Sequence, residues 1–392
     1  MSDWHTVSLV ASSSLNIRWA IILPSFFIML SFIGLLFIFS RRFIGWNYSP
    51  FHAPRYSEIS FLGVFIFLTL SGIGGFTILR DRKWDWESTI NHDSTQWTSS
   101  NDEIYWFHPV CHILLPQRSA LFAYPLILVI VSTIYQLIHS HSSFSYPQRR
   151  KIYFLSGCIT GLLPLIHAHS LMCLAFILIP YALLHFKRSF SLHNEHGLFL
   201  HWLYFGVPIL IESLLQLPVY MDRLGSGSMS AASSNSFLNY KPLWRNSPWA
   251  RFPNTSYYNE FLNFSLLWLR GTGIYVIFAL IGFFFLNNRQ RKLYFCFWII
   301  FIAANFVQFQ PWDKDNTKLF LIWSMICAPV VAFIISKIWN VHSFILKLVA
   351  VLLVISLVLS GTMMLYREST LWWQFMVPQF FFPFLFCYEL IN

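Results

Sequence analysis

The sequence contains uninterrupted apolar runs of about twenty residues, the length at which an α-helix crosses the hydrocarbon core of a bilayer. Hydrophobic residues make up 56% of the chain and charged residues only 11%, whereas an average soluble protein carries about 25% charged residues. Because the runs are continuous rather than alternating, they do not fit an outer-membrane barrel. The pattern excludes a soluble enzyme, a disulfide scaffold and a coiled coil, and it predicts an all-α polytopic membrane protein.

The runs predict one transmembrane domain over residues 1–392, with about eleven spans in a range of about ten to twelve. Two long polar loops interrupt them, at residues 80–119 and 218–265. One short pair of runs is separated only by residues 167–170, and a re-entrant hairpin is the alternative interpretation of that pair. The predicted spans cover residues 18–40, 59–79, 120–138, 152–166, 171–186, 198–217, 266–286, 293–309, 319–336, 344–365 and 371–388.

The net charge of +10 comes largely from short basic clusters beside apolar runs, which indicates membrane topology rather than a nucleic-acid partner. Short basic loops favour the cytoplasmic side. Both long polar loops then lie on the non-cytoplasmic side, where Asn254 and Asn263 form N-glycosylation sequons. We expect the endoplasmic reticulum membrane in a eukaryote or the plasma membrane in a bacterium. The clusters are Arg41-Arg42, Arg149-Arg150-Lys151, Lys187-Arg188 and Arg289 with Arg291 and Lys292.

The first polar segment with chemical potential runs directly into the span at 120–138. Arg118 lies at the mouth of this span, and its planar fork matches the oxygens of a phosphate. The alternative is an interfacial arginine whose charged end reaches the headgroups. His108 and His112 are four residues apart and form a candidate metal pair, although Pro109 argues against a continuous helix through both.

The second segment contains His167, His169 and Ser170 between the two short apolar runs. Alternate spacing in extended backbone sends two side chains to opposite sides, which argues against a shared metal. Either histidine is a candidate donor to a phosphate or to an attacking hydroxyl. The alternative is polar capping of the turn.

The third segment places Asp313 and Asp315 around a lysine, with Lys318 three residues further on. Two acids and two lysines beside a membrane suit a divalent metal, a phosphate or a sugar. The alternative is that Asn316 and Thr317 only cap the next span.

Glu212 is the clear acid inside a predicted span. An ionisable side chain within the membrane is costly and marks a functional site by default. The alternative interpretations are a structural pair and a position near the interface.

Three motifs in order carry a resemblance to known proteins: P-Q-R-S at 116–119, L-P-L-I-H-A-H-S at 163–170, and Q-P-W-D-K-D-N-T-K at 310–318. They resemble a group of polytopic membrane proteins whose versions read roughly L-L-P-Q-R-S, L-L-P-L-x-H-A-H-S and P-W-D-x-D-N-x-K. The resemblance covers about residues 19–336. That group resembles the GT-C class of membrane glycosyltransferases.

The resemblance implies a multi-span enzyme that uses a polyprenyl-phosphate sugar at the lumenal or outer face, with membrane lipid around it. Arg118 and Lys318 would bind the donor phosphate, and Asp313 or Asp315 would act as base or as ligand of a divalent metal ion. His169 would orient the donor or the acceptor. Further substrate-binding candidates are His112, His167 and Glu212.

One departure from the GT-C pattern concerns the start of the chain. GT-C enzymes generally place a catalytic acid in a large loop after their first span, but no apolar run precedes Arg18. Asp3 and His5 would be the end of such a loop. The alternative function is therefore a non-enzymatic multi-pass membrane protein, either a lipid-handling or transport protein or a subunit of a membrane complex.

Overall fold

The computed structural model describes residues 17–45, 53–76, 108–139, 144–185, 198–225, 239–240, 242–243, 260–309 and 316–391. Its elements are nearly all helical, as the apolar runs predict. In chain order they are α1 (Ile17–Gly45), α2 (Ala53–Leu68), a short π-helix (Pro109–Leu114), α3 (Arg118–His139), α4 (Tyr146–Leu184), α5 (Leu198–Gly225), β1 (Asn239–Tyr240), α6 (Glu260–Thr272), α7 (Tyr275–Phe285), α8 (Asn288–Phe306), β2 (Val307–Gln308), α9 (Asn316–Trp339) and α10 (Phe344–Ile391).

Within these described residues, six helices are long and apolar enough to cross a membrane, or seven if one bent pair forms a single span. The chain is therefore an all-α, multi-pass integral membrane protein. The predicted count of eleven is not confirmed. One reason is that α2 has only 16 residues, whereas a span needs about 20.

A second reason is that two predicted pairs of spans each lie within one helix. The runs at 152–166 and 171–186 both belong to α4, whose 39 residues count as one helix although the backbone is broken at His167. The runs at 344–365 and 371–388 both belong to α10, which has 48 residues. At about 1.5 Å per residue, α10 is much longer than the bilayer core requires.

The predicted span at 266–286 is broken in the middle. Helices α6 and α7 are bent by 95° relative to each other, and Gly273 between them has a φ of 61°. Glycine adopts this left-handed conformation without steric cost because it has no Cβ atom. The predicted span continued through Arg270-Gly271-Thr272-Gly273 and missed this turn.

The described residues fall into two units, and residues 1–64, 113–243 and 281–333 make up the first. In this unit α4 packs against α3, α5 and α8, while α1 packs against α3. The side chains from 319 to 335, nearly all of α9, are buried, as expected for a helix that is apolar on all sides and surrounded by protein. A two-residue ladder pairs Asn239 with Gln308 next to the start of α9.

Glycines permit the close approach of α4 and α5 in the first unit. A Cβ atom at Gly157 would collide with the backbone carbonyl of Phe205, and one at Gly161 would lie 2.6 Å from Oε2 of Glu212. Small residues spaced four apart bring helix backbones together in membranes in this way.

The second unit contains residues 65–112, 244–280 and 334–392. Here the chain that follows α2 crosses α10 at close range. The Gly75 N–H donates to Oγ of Ser360 over 3.0 Å, and a Cβ atom at Gly361 would collide with the backbone of Thr69. The Ile73 N–H donates to the Arg270 carbonyl over 3.1 Å, which joins this segment to α6.

Candidate functional site

A break in α4 positions the histidines of the second motif. His167 has φ −160° and ψ 97°, so it is extended while the residues around it are helical. Pro164 lies three residues earlier inside the same helix, where it removes a backbone N–H and favours a kink. The predicted polar loop over 167–170 is wrong in extent, because Ala168, His169 and Ser170 already belong to the second half of α4.

The rings of His167 and His169 lie side by side, with centroids 5.2 Å apart. The expectation that alternate spacing would separate them is wrong, since only His167 is extended and the next residue restarts the helix. Both side chains are buried at 7% exposure. Nδ1 of His167 forms a 2.8 Å hydrogen bond with Oγ of Ser170, which holds the ring at the start of the second half of α4.

Tyr124 joins this cluster from α3. Its ring meets the His167 ring edge-on at 5.8 Å between centroids, and its hydroxyl donates to the Lys318 carbonyl over 3.3 Å. The Lys318 ammonium lies within electrostatic range of His167. The structure thus brings the second motif, Tyr124 and the start of α9 together within the first unit.

Asn316 fixes the start of α9. Its Nδ2 donates to the carbonyls of Ala304 and Val307 over 2.9 and 2.7 Å, and its Oδ1 accepts from the Phe309 N–H over 3.3 Å. Asn316 was expected to cap its own helix, but its amide instead ties α9 to the end of α8 and to β2. These hydrogen bonds fix the start of α9 and therefore the position of Lys318.

The remaining candidates are Arg118 of the first motif and Asp313 and Asp315 of the third. Arg118 is the first residue of α3, six residues before Tyr124, which corresponds to about 9 Å along the helix axis. Asp313 and Asp315 lie outside the described residues, so their roles stay predictions. Within the part of the chain that is described, no three His, Cys, Asp or Glu side chains form a metal-binding group.

His112 belongs to the second unit, where it completes a cap built from two histidines. Nδ1 of His108 accepts the N–H groups of Val110 and Cys111 over 3.2 and 3.3 Å, and Nδ1 of His112 accepts the His108 N–H over 3.0 Å. This reciprocal pattern corresponds to a capping box at the start of the π-helix. Pro109 fits at its first position, where an N–H has no partner.

The cap determines the protonation of His108. A backbone N–H can only donate, so Nδ1 of each capping histidine is unprotonated, which leaves no Nδ1 lone pair for a metal. Burial and, to a smaller extent, the nearby His112 lower the pKa of His108 to about 3. Burial also raises the pKa of the Cys111 thiol to about 12, so this cysteine is not a nucleophile at neutral pH.

Glu212 lies on α5 and faces α4. Its Oε2 rests on Gly161, and Cys158 lies beside the same carboxylate. Gln216, one helical turn further on, donates from Nε2 to the Gly161 carbonyl over 2.7 Å. The structure therefore puts Glu212 at a helix–helix contact in the first unit.

The two sequons have different positions relative to the described structure. Asn254 lies outside the described residues. Asn263 lies within α6, and its side chain is 5% exposed. Glycosylation at both positions stays a prediction.

Sequence reasoning missed three residues of these sites: Tyr124, Asn316 as a tie between elements, and Gln216. Tyr124 gives no sequence signal, because aromatic residues make up 19% of the chain. Gln216 does give one, since a position four residues after Glu212 lies on the same helix face.

Comparison with known proteins adds no relative. No family model matches the chain, and neither a curated protein nor a solved structure matches it.

Proposed function

We propose that this chain is a membrane glycosyltransferase of the GT-C type that takes its sugar from a polyprenyl phosphate. One observation supports the proposal most: the adjacent rings of His167 and His169 at the break in α4, with Lys318 at the start of α9 close by. Imidazole N–H groups and an ammonium around one point suit a phosphate, because hydrogen bonds to an ionised acceptor are the strong ones.

In this proposal the cations bind the donor phosphate and a carboxylate activates the acceptor. Lys318 and Arg118 neutralise the phosphate, and His169 orients the donor. The bond between sugar C1 and the phosphate oxygen breaks, and its electron pair stays on the phosphate. The acceptor oxygen bonds to C1 while its proton passes to Asp313 or Asp315. The same two carboxylates are the candidate ligands of a divalent metal.

The finer topology is part of the same proposal. A non-cytoplasmic location of the three motif segments would place the site at the lumenal side of the endoplasmic reticulum or at the outer bacterial face. The short basic clusters support this orientation. The proximity of His167 and Lys318 supports a common side for the second and third motifs.

Donor binding by the full-length chain in lipid nanodiscs tests the proposal. Labelled polyprenyl phosphate should bind the wild type, and Lys318→Met should weaken binding at least tenfold, about the effect of losing one charge-assisted contact. Lys337→Met is the matched control, because Lys337 lies in the last turn of the same helix. A wild type that neither binds polyprenyl phosphate nor consumes a polyprenyl-phosphate sugar would overturn the proposal.

A second candidate function, a non-enzymatic lipid-handling or transport protein, is favoured by Glu212. An acid on a membrane helix beside a neighbouring helix is typical of a transport pathway. The same assay separates the two functions. Polyprenyl phosphate that binds without any loss of sugar from the donor would support lipid handling rather than transfer.

A further inference from the structure

Oxygen atoms without hydrogen-bond donors meet at the contact between α4 and α5. Oε2 of Glu212 and Oε1 of Gln216 are buried, and among the described residues neither has a hydrogen-bond partner. Both side chains converge on Gly161, one through the approach of Oε2 to its Cα and the other through a hydrogen bond to its carbonyl. A buried hydrogen-bond acceptor without a partner destabilises the fold. These oxygens therefore favour a positively charged ligand.

The orientation of the Gln216 amide is determined by its partner. A backbone carbonyl only accepts, so Nε2 must face Gly161, and Oε1 is the end that remains available. Gln216 is 6% exposed, which removes water as an easy partner. The Gln216 amide oxygen therefore lies inside the contact between α4 and α5 and not at the protein surface.

The backbone of α4 offers a candidate for a third oxygen. Pro164 has no N–H, so the Thr160 carbonyl lacks the hydrogen bond that residue 164 would normally donate. Thr160 is buried and precedes Gly161. Backbone carbonyls freed near a break in a membrane helix are the groups that coordinate small cations in transporters.

Charge determines which cation fits. Glu212 is the only Asp, Glu, Lys or Arg in residues 152–166 and 198–221, so one negative charge lies among apolar residues. A single positive charge makes the contact neutral, which is the state that a membrane interior favours. Carboxylate, amide and carbonyl oxygens are hard ligands, which suit sodium and not a soft transition metal.

We propose that Glu212, Gln216 and the Thr160 carbonyl form an intramembrane site for one small monovalent cation, a sodium ion or a proton. The proposal does not depend on glycosyl transfer, because none of these residues belongs to the cluster around His167. The titratable group that faces Glu212 from α4 is Cys158, whose thiol hydrogen-bonds the Glu212 carboxylate.

Sodium binding to the full-length chain in nanodiscs tests the site. Radioactive sodium should bind the wild type at about one ion per chain, and Glu212→Gln should reduce this binding at least tenfold. Glu58→Gln is the matched control, because Glu58 is an exposed acid on α2 and the chemical change is the same. If Glu212→Gln does not insert, Gln216→Leu removes one ligand oxygen and should weaken sodium binding several-fold.

A proton is distinguished from sodium by infrared spectroscopy. If sodium does not bind, a carboxylic C=O band that is present in the wild type and absent in Glu212→Gln shows that a proton occupies the site. Glu58→Gln should keep this band. Absence of both sodium binding and a Glu212-dependent band would overturn the proposal.

Discussion

The two histidine pairs of this protein have similar sequence settings and different surroundings. In the second unit, Nδ1 of both His108 and His112 accepts backbone N–H groups at the start of a π-helix. In the first unit, Nδ1 of His167 meets the Ser170 hydroxyl. The buried Nε2 atoms of His108 and His167 both lack a hydrogen-bond partner among the described residues, so the two pairs differ in what Nδ1 contacts. A histidine whose lone pair serves backbone amides stabilises the fold, whereas one that faces only side chains remains available to a ligand.

The largest expected effect is on sugar transfer, which should distinguish the two histidine pairs. His169→Gln keeps a polar side chain but loses the imidazole, so we expect sugar transfer to fall about 100-fold, within the usual range for a lost acid–base or orienting group. His108→Asn should leave transfer within about twofold, because Asn is an effective cap. Transfer from a polyprenyl-phosphate sugar is measured on full-length protein.

Equal loss of transfer in both variants would remove the distinction between the pairs. Size-exclusion chromatography of the two variants in detergent shows whether each remains folded. A folded His169→Gln protein with wild-type transfer would remove His169 from the site.

The next effect is a pH dependence of stability that His108 contributes. The pKa of His108 is about 3 in the folded protein, against about 6.5 in an unfolded chain. Below pH 6.5 the unfolded state binds a proton that the folded state does not, so stability falls as the pH falls. At pH 5 the wild type should have lost about 2 kcal/mol of unfolding free energy.

His108→Asn removes this titration and retains a capping oxygen. The difference in unfolding free energy between wild type and His108→Asn should therefore shift by about 2 kcal/mol towards the variant from pH 7.5 to pH 5. His342→Asn serves as the control because His342 is exposed. A parallel decline of wild type and His108→Asn would show that His108 is not the responsible group.

The smallest effect concerns the hydroxyl of Tyr124. Its hydrogen bond to the Lys318 carbonyl is long, at 3.3 Å, so Tyr124→Phe should cost about 1 kcal/mol of stability or less. If this bond helps to place Lys318, polyprenyl-phosphate binding should weaken about two- to fivefold as well, which corresponds to the same energy. A loss above tenfold would instead show that the hydroxyl contacts the ligand itself.

Hydrophobic patterning predicts membrane helices well and their ends poorly. The end of a polar segment predicts that a span starts at residue 120, and in the structure α3 starts two residues earlier, at Arg118. The continuity of α10 does not follow, because the few polar residues between its two apolar runs predict a loop, whereas the helix accommodates them. Conversely, the turn at Gly273 lies inside a predicted span, although Arg270, Gly271 and Thr272 interrupt its apolar run.

In the candidate site, too, the sequence predicts some features and not others. The motif residues His167, His169 and Lys318 are visible in the sequence as polar groups at span boundaries. Their proximity depends on the single extended residue in α4 and on the Asn316 amide, which bonds three backbone groups of α8 and the segment after it. These hydrogen bonds link the start of one helix to the end of another, so no local sequence pattern predicts them.

The two glycines of α4 that approach α5 impose different constraints on how this sequence can diverge. Gly157 faces the backbone carbonyl of Phe205, which every residue at position 205 retains, so no second substitution compensates for a larger side chain at 157. Gly161 faces the side chain of Glu212, whose Cβ atom would lie 2.9 Å from a Cβ atom at 161. Only glycine lacks a Cβ atom. Among descendants of this chain, position 157 should stay glycine, while alanine or serine at 161 should appear together with glycine at 212.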